Sequence, residues 1–412
     1  MKVQDIDWTN LLKKYYMMDE LTFDSFINGT LYSNNDIEEY LDDETMNELS
    51  NYSEKEENKI FVNFFNKFTN KTKDGFVAEN IIDKIIDALK INSGNRGFYS
   101  KIAGFIEIMP VKDSDKIKIA EEIKDEYAMA RIIKTLSTDE AKQEAMKTIK
   151  DKYAKSIIIE TFSTDDARIN AISSIYNISL PEDYEHIRKI KLPPDMTIGC
   201  EIESEGKNSE LLTNINLFGW KGKEDGSLQN GVEIVSPIMH SDEEDTQSIY
   251  KICDLLKKIK NDTSDRCGGH IHIGADYLKD KQAYANLLSI FGNTEELLYI
   301  IANDPKDITD RTTRYDSPIS KKVQDAIESG IINLETEQDV NEFIKNLEKI
   351  QRYRYSGLNF WSYDEHRTIE FRLSNGTINP DAWVENINLF GGIIKAAEEI
   401  SVIQKKAYGR NE

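Results

Sequence analysis

The chain has 412 residues, of which 39% are hydrophobic and 31% are charged, and its formal net charge at pH 7 is -22. This length and composition are typical of a soluble globular protein with two or three domains and exclude a disordered chain. The negative charge repels nucleic acid phosphates and anionic membrane surfaces, so we expect neither nucleic acid nor a membrane as a partner.

The cellular location is predicted from the cysteines and from the absence of export signals. The three cysteines show no CxxC spacing, which suits a reducing compartment. Neither a signal peptide nor a membrane span is predicted, because no apolar stretch has the necessary length and flanks. We therefore expect a cytoplasmic protein.

Residues 1–180 are predicted to form a helical domain, because apolar residues recur at three- and four-residue spacing. Within 99–177 a 26-residue repeat is visible: "YAMARIIKTLSTDEAKQEAMKTI" from Tyr127 returns as "YAKSIIIETFSTDDARINAISSI" from Tyr153. The shared "STD" predicts N-caps at Ser137 and Ser163, so each copy should be a helical hairpin. We interpret the stacked hairpins as a packing scaffold. The alternative interpretation is that they bind a protein partner.

A linker is predicted at residues 181–195. The stretch "LPEDYEHIRKIKLPP" holds three of the eight prolines and has no helical period. Short β-like stretches alternate with helical ones beyond it. We therefore predict an α+β catalytic domain over residues 196–412.

Four predicted strands of this domain place polar side chains on one face. In "MTIGCEIES", "GVEIVSP", "GGHIHIG" and "RTIEFRLSNG", apolar residues alternate with acids, histidines or an arginine. Side chains alternate between the faces of a strand, so burying the apolar face of a shared sheet collects the polar residues on the other. The predicted polar set is Glu201, Glu203, Glu233, His270, His272, Glu370 and Arg372.

Crowded carboxylates of this kind favour a bound divalent cation, because like charges raise one another's pKa unless a cation intervenes. An oxygen-rich set with little sulfur favours Mg²⁺ or Mn²⁺, ions that also bind the phosphates of ATP. Zn²⁺ is the rival interpretation, since an HxH pair and a carboxylate can form an open three-ligand site. The chain has no glycine-rich P-loop, so phosphate binding would depend on metals and arginines.

Five motifs in order resemble the amidoligase family, which is related to glutamine synthetase and the glutamate–cysteine ligases. They are "GCEIES", "EDGSL", "GVEIVSP", "CGGHIHIG" and "RTIEFRLSNGTINP". The resemblance covers residues 196–397, about half of the chain. It implies a glutamine synthetase-like, mostly antiparallel sheet with packed helices.

The resemblance also implies roles for individual residues. The metal ligands would be Glu201, Glu203, Glu233, His270 and Glu370. His270 and His272 would contact ATP phosphate, Arg372 would neutralise the γ-phosphate or acyl phosphate, and Ser227 would lie near the substrate. Candidates for the base that deprotonates the amine are Asp225 and Glu224, and further ligand-side positions are Arg314 and Asn359.

The implied function is an ATP-dependent carboxylate–amine ligase that forms an amide or peptide bond through an acyl phosphate. Its acid and amine substrates would be amino acids, peptides or protein side chains. Two alternatives from the residues remain open. One is a Zn²⁺- or Fe²⁺-dependent hydrolase or oxidase that uses the HxH pair and a glutamate, and the other is an inactive interaction protein that works through its helical repeats.

Overall fold

The computed structural model describes residues 79–91, 93–108, 110–181, 183–213, 215–303, 317–329, 340–351 and 355–408. By their contacts the residues divide into two compact units, Met1–Ser163 and Thr164–Glu412. This division falls before the predicted linker, and independent folding of residues 196–412 stays a prediction. The first 78 residues of the predicted helical domain lie outside the described part of the chain.

The described part of the first unit is helical. In α1, Ile82, Ile85 and Leu89 are buried at three- and four-residue spacing, so one stripe of the helix faces the core. The helices are α1 (Glu79–Ile91), α2 (Arg96–Ile108), α3 (Asp113–Glu122), α4 (Glu126–Ile133), α5 (Asp139–Met146) and α6 (Lys152–Ile159).

Polar contacts in this unit recur at a spacing of 26 residues. Asp113 Oδ2 accepts a hydrogen bond from the Ser137 amide at 2.8 Å, and Asp139 Oδ2 accepts one from the Ser163 amide at 2.9 Å. The same spacing relates two lysine contacts to backbone carbonyls: Lys116 to Thr135 and Lys142 to Thr161. Each aspartate begins one helix and holds the turn that follows the next helix, so neighbouring hairpins are joined by side chain and backbone.

The prediction that Ser137 and Ser163 cap helices is wrong by one residue. The N-cap of α5 is Thr138, whose side chain accepts from the backbone of the helix, and Thr164 does the same for the helix Asp165–Tyr176. The serines are engaged instead by the aspartates of the preceding hairpin. Sequence alone did not distinguish adjacent hydroxyl residues, since both types favour the N-cap.

The second unit contains an antiparallel sheet and helices, which confirms the predicted α+β fold. The sheet has seven strands in the order β2-β3-β4-β1-β5-β7-β6, and all its neighbours pair antiparallel. The strands are β1 (Ile198–Glu205), β2 (Asn216–Leu217), β3 (Trp220–Lys223), β4 (Gly231–Val235), β5 (Gly268–Gly274), β6 (Leu358–Asn359) and β7 (Thr368–Asn375). The helices are α7 (Asp165–Tyr176), α8 (Glu243–Lys258), α9 (Lys281–Ile301), α10 (Ser320–Glu328), α11 (Val340–Gln351), α12 (Ser362–His366) and α13 (Pro380–Tyr408).

The four strands predicted from alternation lie side by side as β4, β1, β5 and β7. Their apolar side chains are buried, with α13 packed on β5 and α9 packed on β7. Phe371 of β7 stacks on Phe390 of α13 with 4.6 Å between ring centroids, and it contacts Phe291 of α9 at 6.2 Å. The helices therefore cover one face of the sheet, as the pattern predicts.

The segment predicted as a linker lies along helices of the second unit. The Tyr184 amide donates to the Gln247 side chain at 2.9 Å, and the Gln247 side chain donates back to the Tyr184 carbonyl at 3.0 Å. Asn388 of α13 makes the same reciprocal pair with the backbone of Lys191 and Lys189. These contacts attach the segment to α8 and α13.

No helix in the described part of the chain combines the length and apolar character that crossing a membrane requires.

Candidate functional site

The face of the sheet opposite the helices carries all seven predicted residues, and we call it the polar face: Glu201, Glu203, Glu233, His270, His272, Glu370 and Arg372. The strand register places them together. Glu201 pairs with His270, and His272 pairs with Glu370 on the next strand. The polar face therefore brings carboxylates, imidazoles and a guanidinium together in the middle of the sheet.

His270 lies at the centre of the polar face. Its Nδ1 is 2.9 Å from Oε2 of Glu201 and 3.7 Å from Oε1 of Glu370. Its Nε2 is 3.7 Å from Oε1 of Glu203, and this nitrogen is buried without a hydrogen-bond partner. Buried polar atoms nearly always have a partner, so an unpartnered ring nitrogen among carboxylates indicates a position for a ligand.

Thr368 and Gly199, two residues that were not among the predicted site residues, position the His272 ring. Its Nδ1 is 3.0 Å from Oγ1 of Thr368, which directs Nε2 towards Oε1 of Glu201 at 3.3 Å. This Nε2 is also buried without a hydrogen-bond partner. The ring lies over Gly199, where an added Cβ would come within 3.3 Å of the Cβ of His272. Glycine at this position therefore leaves space for the imidazole.

Arg372 is buried beside Glu370, and the two side chains form an ion pair. Its Nη1 is also 3.4 Å from Nδ1 of His270. A β-bulge explains this approach, because Arg372 and Leu373 both oppose His270 between two regular pairs of β5 and β7. Bulges commonly redirect side chains next to functional sites.

Asn359, predicted at a ligand-side position, is part of this cluster. It is buried on β6, and its side-chain amide donates to Oε2 of Glu370 at 2.6 Å. Its own carbonyl oxygen accepts from the Trp361 amide at 3.0 Å. Glu370 thus has Arg372 at one oxygen and Asn359 at the other.

The electrostatic environment keeps two carboxylates of the polar face ionised, those of the half-buried Glu201 and the buried Glu370. Burial by itself would raise the pKa of Glu201, but hydrogen bonds to His270 and His272 hold the pKa well below its ordinary range. Burial would likewise raise the pKa of Glu370, but the charge of Arg372 and of the two histidines lowers it. The pKa of His272 is raised, because Glu201 and Glu370 outweigh the effect of its burial. Ionised carboxylates are the form that binds a cation.

Glu233 has a different environment, although it pairs directly with Glu203 across β4 and β1. Burial is the largest cause that raises the pKa of Glu233 to about 7. The charges of Glu201 and Asp225 contribute to this rise, and Lys223 opposes it. Glu203 is buried, and one of its oxygens accepts from the Gly268 amide at 2.6 Å. These two acids lie on the side of the polar face away from Arg372.

The "EDGSL" segment lies in the loop between β3 and β4. Asp225 is half-buried, and its carboxylate accepts from the Ser227 amide at 2.7 Å. Its charge contributes to the raised pKa of Glu233. Glu224 and Ser227 are both exposed. Arg314, the remaining predicted position, lies outside the described residues.

Three residues of the polar face could hold one metal ion. Glu201, His270 and Glu370 each offer a ligand atom, and these atoms lie within 4.8 Å of one another. Ligands at about 2.0–2.3 Å from an ion have this kind of separation. Two carboxylates with one imidazole suit a hard divalent ion, so the donor set fits the predicted metal. Glu203 and Glu233 are outside this group of three.

Several parts of the site were missed because they have no signal in the local sequence. Thr368 is the first residue of β7, where a threonine is ordinary, and only the register places it beside His272. The contact of the Gly268 amide with Glu203 depends on the pairing of β1 with β5 in the same way. The glycines at the start of β5 were visible in the sequence, but the contact of Gly268 with Glu203 was not.

The comparison with known families agrees with this geometry. Residues 117–394, about two thirds of the chain, match the model of a family described as "Putative amidoligase enzyme". No curated protein and no solved structure gave a significant match. The matched residues include β1 to β7 and therefore the whole polar face. The chain belongs to the amidoligase family, whose description indicates an enzyme of the ligase type.

Proposed function

We propose that the protein is an ATP-dependent carboxylate–amine ligase that forms an amide bond through an acyl phosphate, with Mg²⁺ or Mn²⁺ as the metal. The observation that carries this proposal is the cluster of Glu201, His270 and Glu370, in which His270 keeps a buried ring nitrogen without a partner. A structural cluster would be expected to satisfy that nitrogen. Family membership supports the same class of reaction.

The residues of the cluster would bind and orient the reactants. When bound, ATP and the divalent ion supply the phosphoryl transfer that activates a substrate carboxylate, which by itself has a poor leaving group. Glu201 and Glu370 are held ionised and so offer negative oxygens to the ion. Arg372 is fixed at Glu370 by the ion pair, where its positive charge can stabilise developing charge on phosphate oxygens.

Asp225 is the better of the two predicted bases for the amine. It acts electrostatically on Glu233 at the edge of the polar face, whereas Glu224 is exposed. A carboxylate within reach of a substrate ammonium group can accept its proton as a general base. The amine would therefore approach from the side of the loop between β3 and β4.

Hydroxylamine can test the proposal, because it captures activated carboxylates in place of the unknown amine. The protein is incubated with ATP, Mg²⁺, hydroxylamine and a panel of amino acids and peptides. We expect release of phosphate together with a hydroxamate. Ester or amide hydrolysis by the metal-loaded protein without ATP, and without hydroxamate, would support the hydrolase alternative instead.

Two variants and one control connect this activity to the cluster. Glu370→Gln removes a ligand charge, and Arg372→Ala removes the cation beside it. Each should reduce hydroxamate formation by about a hundredfold or more, as loss of a transition-state contact usually does. Glu365→Gln changes an exposed acid on α12 and should keep nearly full activity. Equal activity of all three variants would contradict the assigned site.

A further inference from the structure

Glu205, the last residue of β1, connects three separate segments of the second unit. Its Oε1 accepts from the Gln229 amide at 2.5 Å and from Nε of Arg266 at 2.9 Å. Its Oε2 accepts from Nη2 of Arg266 at 2.9 Å. The same Nη2 donates to the Gln229 side-chain oxygen at 3.2 Å. We call these three residues the Glu205 tether.

The tether holds the loop 224–230, which joins β3 to β4. Gln229 belongs to this loop, Arg266 precedes β5, and Glu205 pairs with Gly231 at the start of β4. A further bond from the Gly206 amide to the Asn230 carbonyl, at 3.0 Å, joins the loop to the residue after β1. The far end of the loop is therefore fixed to the strand that carries Glu201 and Glu203.

The geometry of the tether is that of a strong charged contact. Arg266 binds both oxygens of one carboxylate, an arrangement with more directional strength than a single ion pair. Hydrogen bonds from Arg266, followed by the Gln229 amide, lower the pKa of Glu205 to about 2, so the carboxylate stays charged at neutral pH. Only 12% of the Glu205 side chain is exposed, against 43% of the Arg266 side chain. The Glu205 carboxylate is therefore the more buried group, and it accepts hydrogen bonds from both Arg266 and Gln229.

The loop carries Asp225, and this connects the tether to the chemistry. Asp225 and Ser227 form a turn closed by the bond from the Ser227 amide to the Asp225 carboxylate. Leu228 packs against Gly231, where an added Cβ would come within 2.4 Å of the Leu228 Cβ. The loop is thus pinned at Gln229 and packed at Leu228, and the charge of Asp225 in the same loop acts on Glu233 of β4.

We propose that Glu205 is a positioning residue for the ligase reaction, which sets the loop 224–230 so that Asp225 meets the amine substrate. The inference rests on the proposed function. It assigns to Glu205 an effect on amine binding and none on the metal cluster, because Glu205 contacts the loop and Arg266 rather than the group of Glu201, His270 and Glu370.

The test compares Glu205→Gln and Glu205→Ala with the full-length wild type. The glutamine keeps the shape but presents an amide group to Arg266, and the alanine removes every contact of the side chain. Glu385→Gln is the matched control, because it breaks an exposed pair between Glu385 of α13 and Arg188. Three quantities are measured: amide hydrogen exchange of residues 225–230, Mn²⁺ affinity by electron paramagnetic resonance, and the KM values for hydroxylamine and ATP.

We expect exchange in residues 225–230 to become at least about tenfold faster in Glu205→Ala and to rise less in Glu205→Gln. Mn²⁺ affinity and the KM for ATP should stay within about threefold of the wild type, whereas the KM for hydroxylamine should rise about tenfold. The control should match the wild type in every measurement.

Unchanged exchange in Glu205→Ala would overturn the proposal, since the loop would not depend on the tether. Equal losses in Mn²⁺ affinity, ATP and hydroxylamine binding would also overturn it, since they would indicate a general structural role. If the wild type binds Mn²⁺ but forms no hydroxamate, the proposed function is wrong, and the role of Glu205 in that reaction is wrong with it. Faster exchange would then still establish that Glu205 holds the loop, so the two failures are distinguishable.

Discussion

The helices of the first unit and the polar face of the sheet both contain many charged groups, but they use them differently. In the helices, Asp113 and Asp139 each meet a serine one hairpin further on. Among the described residues, the buried side-chain nitrogen and oxygen atoms without a hydrogen-bond partner all lie after position 167, and His270 and His272 each contribute one. The helical contacts are complete by themselves, whereas the polar face keeps capacity for a ligand.

This difference has an energetic meaning. Removing a charge from water costs several kcal/mol, and a buried pair recovers that cost only with good geometry and complete hydrogen bonding. The exposed or half-exposed ion pairs of the helices stay partly hydrated, so their desolvation costs little free energy. The buried charges of the polar face are desolvated at a large cost, so they are better explained by ligand binding than by stability. The predictions below test this contrast, from the largest expected effect to the smallest.

The largest effect is expected for Arg372→Ala in metal-free protein. Loss of the guanidinium leaves Glu370 buried without its cation, which should lower the free energy of unfolding by about 3–5 kcal/mol. Urea denaturation measures this change. Saturating Mn²⁺ should recover part of the loss, because the ion replaces the missing positive charge. Arg367→Ala breaks an exposed pair with Asp276 and should cost about 1 kcal/mol or less.

The metal cluster is tested by Glu201→Gln. Removal of one carboxylate ligand should weaken Mn²⁺ binding by about a hundredfold, or about 2.7 kcal/mol. Calorimetric titration measures the affinity. Glu203→Gln is the matched comparison on the same strand, and it should cost less than tenfold because Glu203 is outside the group of three. An equal loss of Mn²⁺ affinity in both variants would place Glu203 among the metal ligands and contradict the assignment of three ligands.

The helical unit should respond to the loss of a cap by a smaller amount. Thr138→Ala removes the acceptor for the first turn of α5 and should cost about 1 kcal/mol. Hydrogen exchange in residues 139–146 of the full-length protein reports the change. Thr138→Ser retains the hydroxyl and should behave nearly as the wild type. An effect of Ser137→Ala on the first turn of α5 that exceeded the effect of Thr138→Ala would restore the original assignment of the cap.

The smallest effect is a pH dependence that originates at Glu107. Burial alone would raise its pKa, but hydrogen bonds from Arg131 and Lys134 hold the pKa below its ordinary value of 4.5. The pair therefore stabilises the fold above about pH 4.5, and the contribution disappears as the pH falls from there through the lowered pKa. Thermal melts at several pH values between neutral and pH 3 measure the unfolding free energy, and Glu107→Gln should reduce its pH dependence by about 0.5 kcal/mol.

Glu144→Gln serves as the control for this pH effect, since Glu144 forms a largely exposed pair with Lys147. Its melts should follow the wild type across the whole range. If Glu107→Gln and Glu144→Gln gave the same pH profile, the pairing of Glu107 with Arg131 would contribute nothing measurable to stability.

The sequence by itself determined which residues share the polar face. Strand side chains alternate with a period of two, so burial of Ile202, Ile271 and Phe371 on one side sends their neighbours to the other. The antiparallel arrangement was implied by the resemblance to the amidoligase family, whereas the α+β class and the sharing of the polar face followed from the sequence pattern. These features are local, and a local pattern is enough to predict them.

The tertiary structure decided how those residues meet. Three features of the site depend on how separate strands pair: the bulge that brings Arg372 to His270, the two-residue strand that brings Asn359 to Glu370, and the contact of Thr368 with His272. The Glu205 tether likewise joins three segments, and a period of two in each strand contains no information about its neighbours. Register between distant strands is set by the packing of the whole sheet, and for this reason only the fold could specify the geometry of the site.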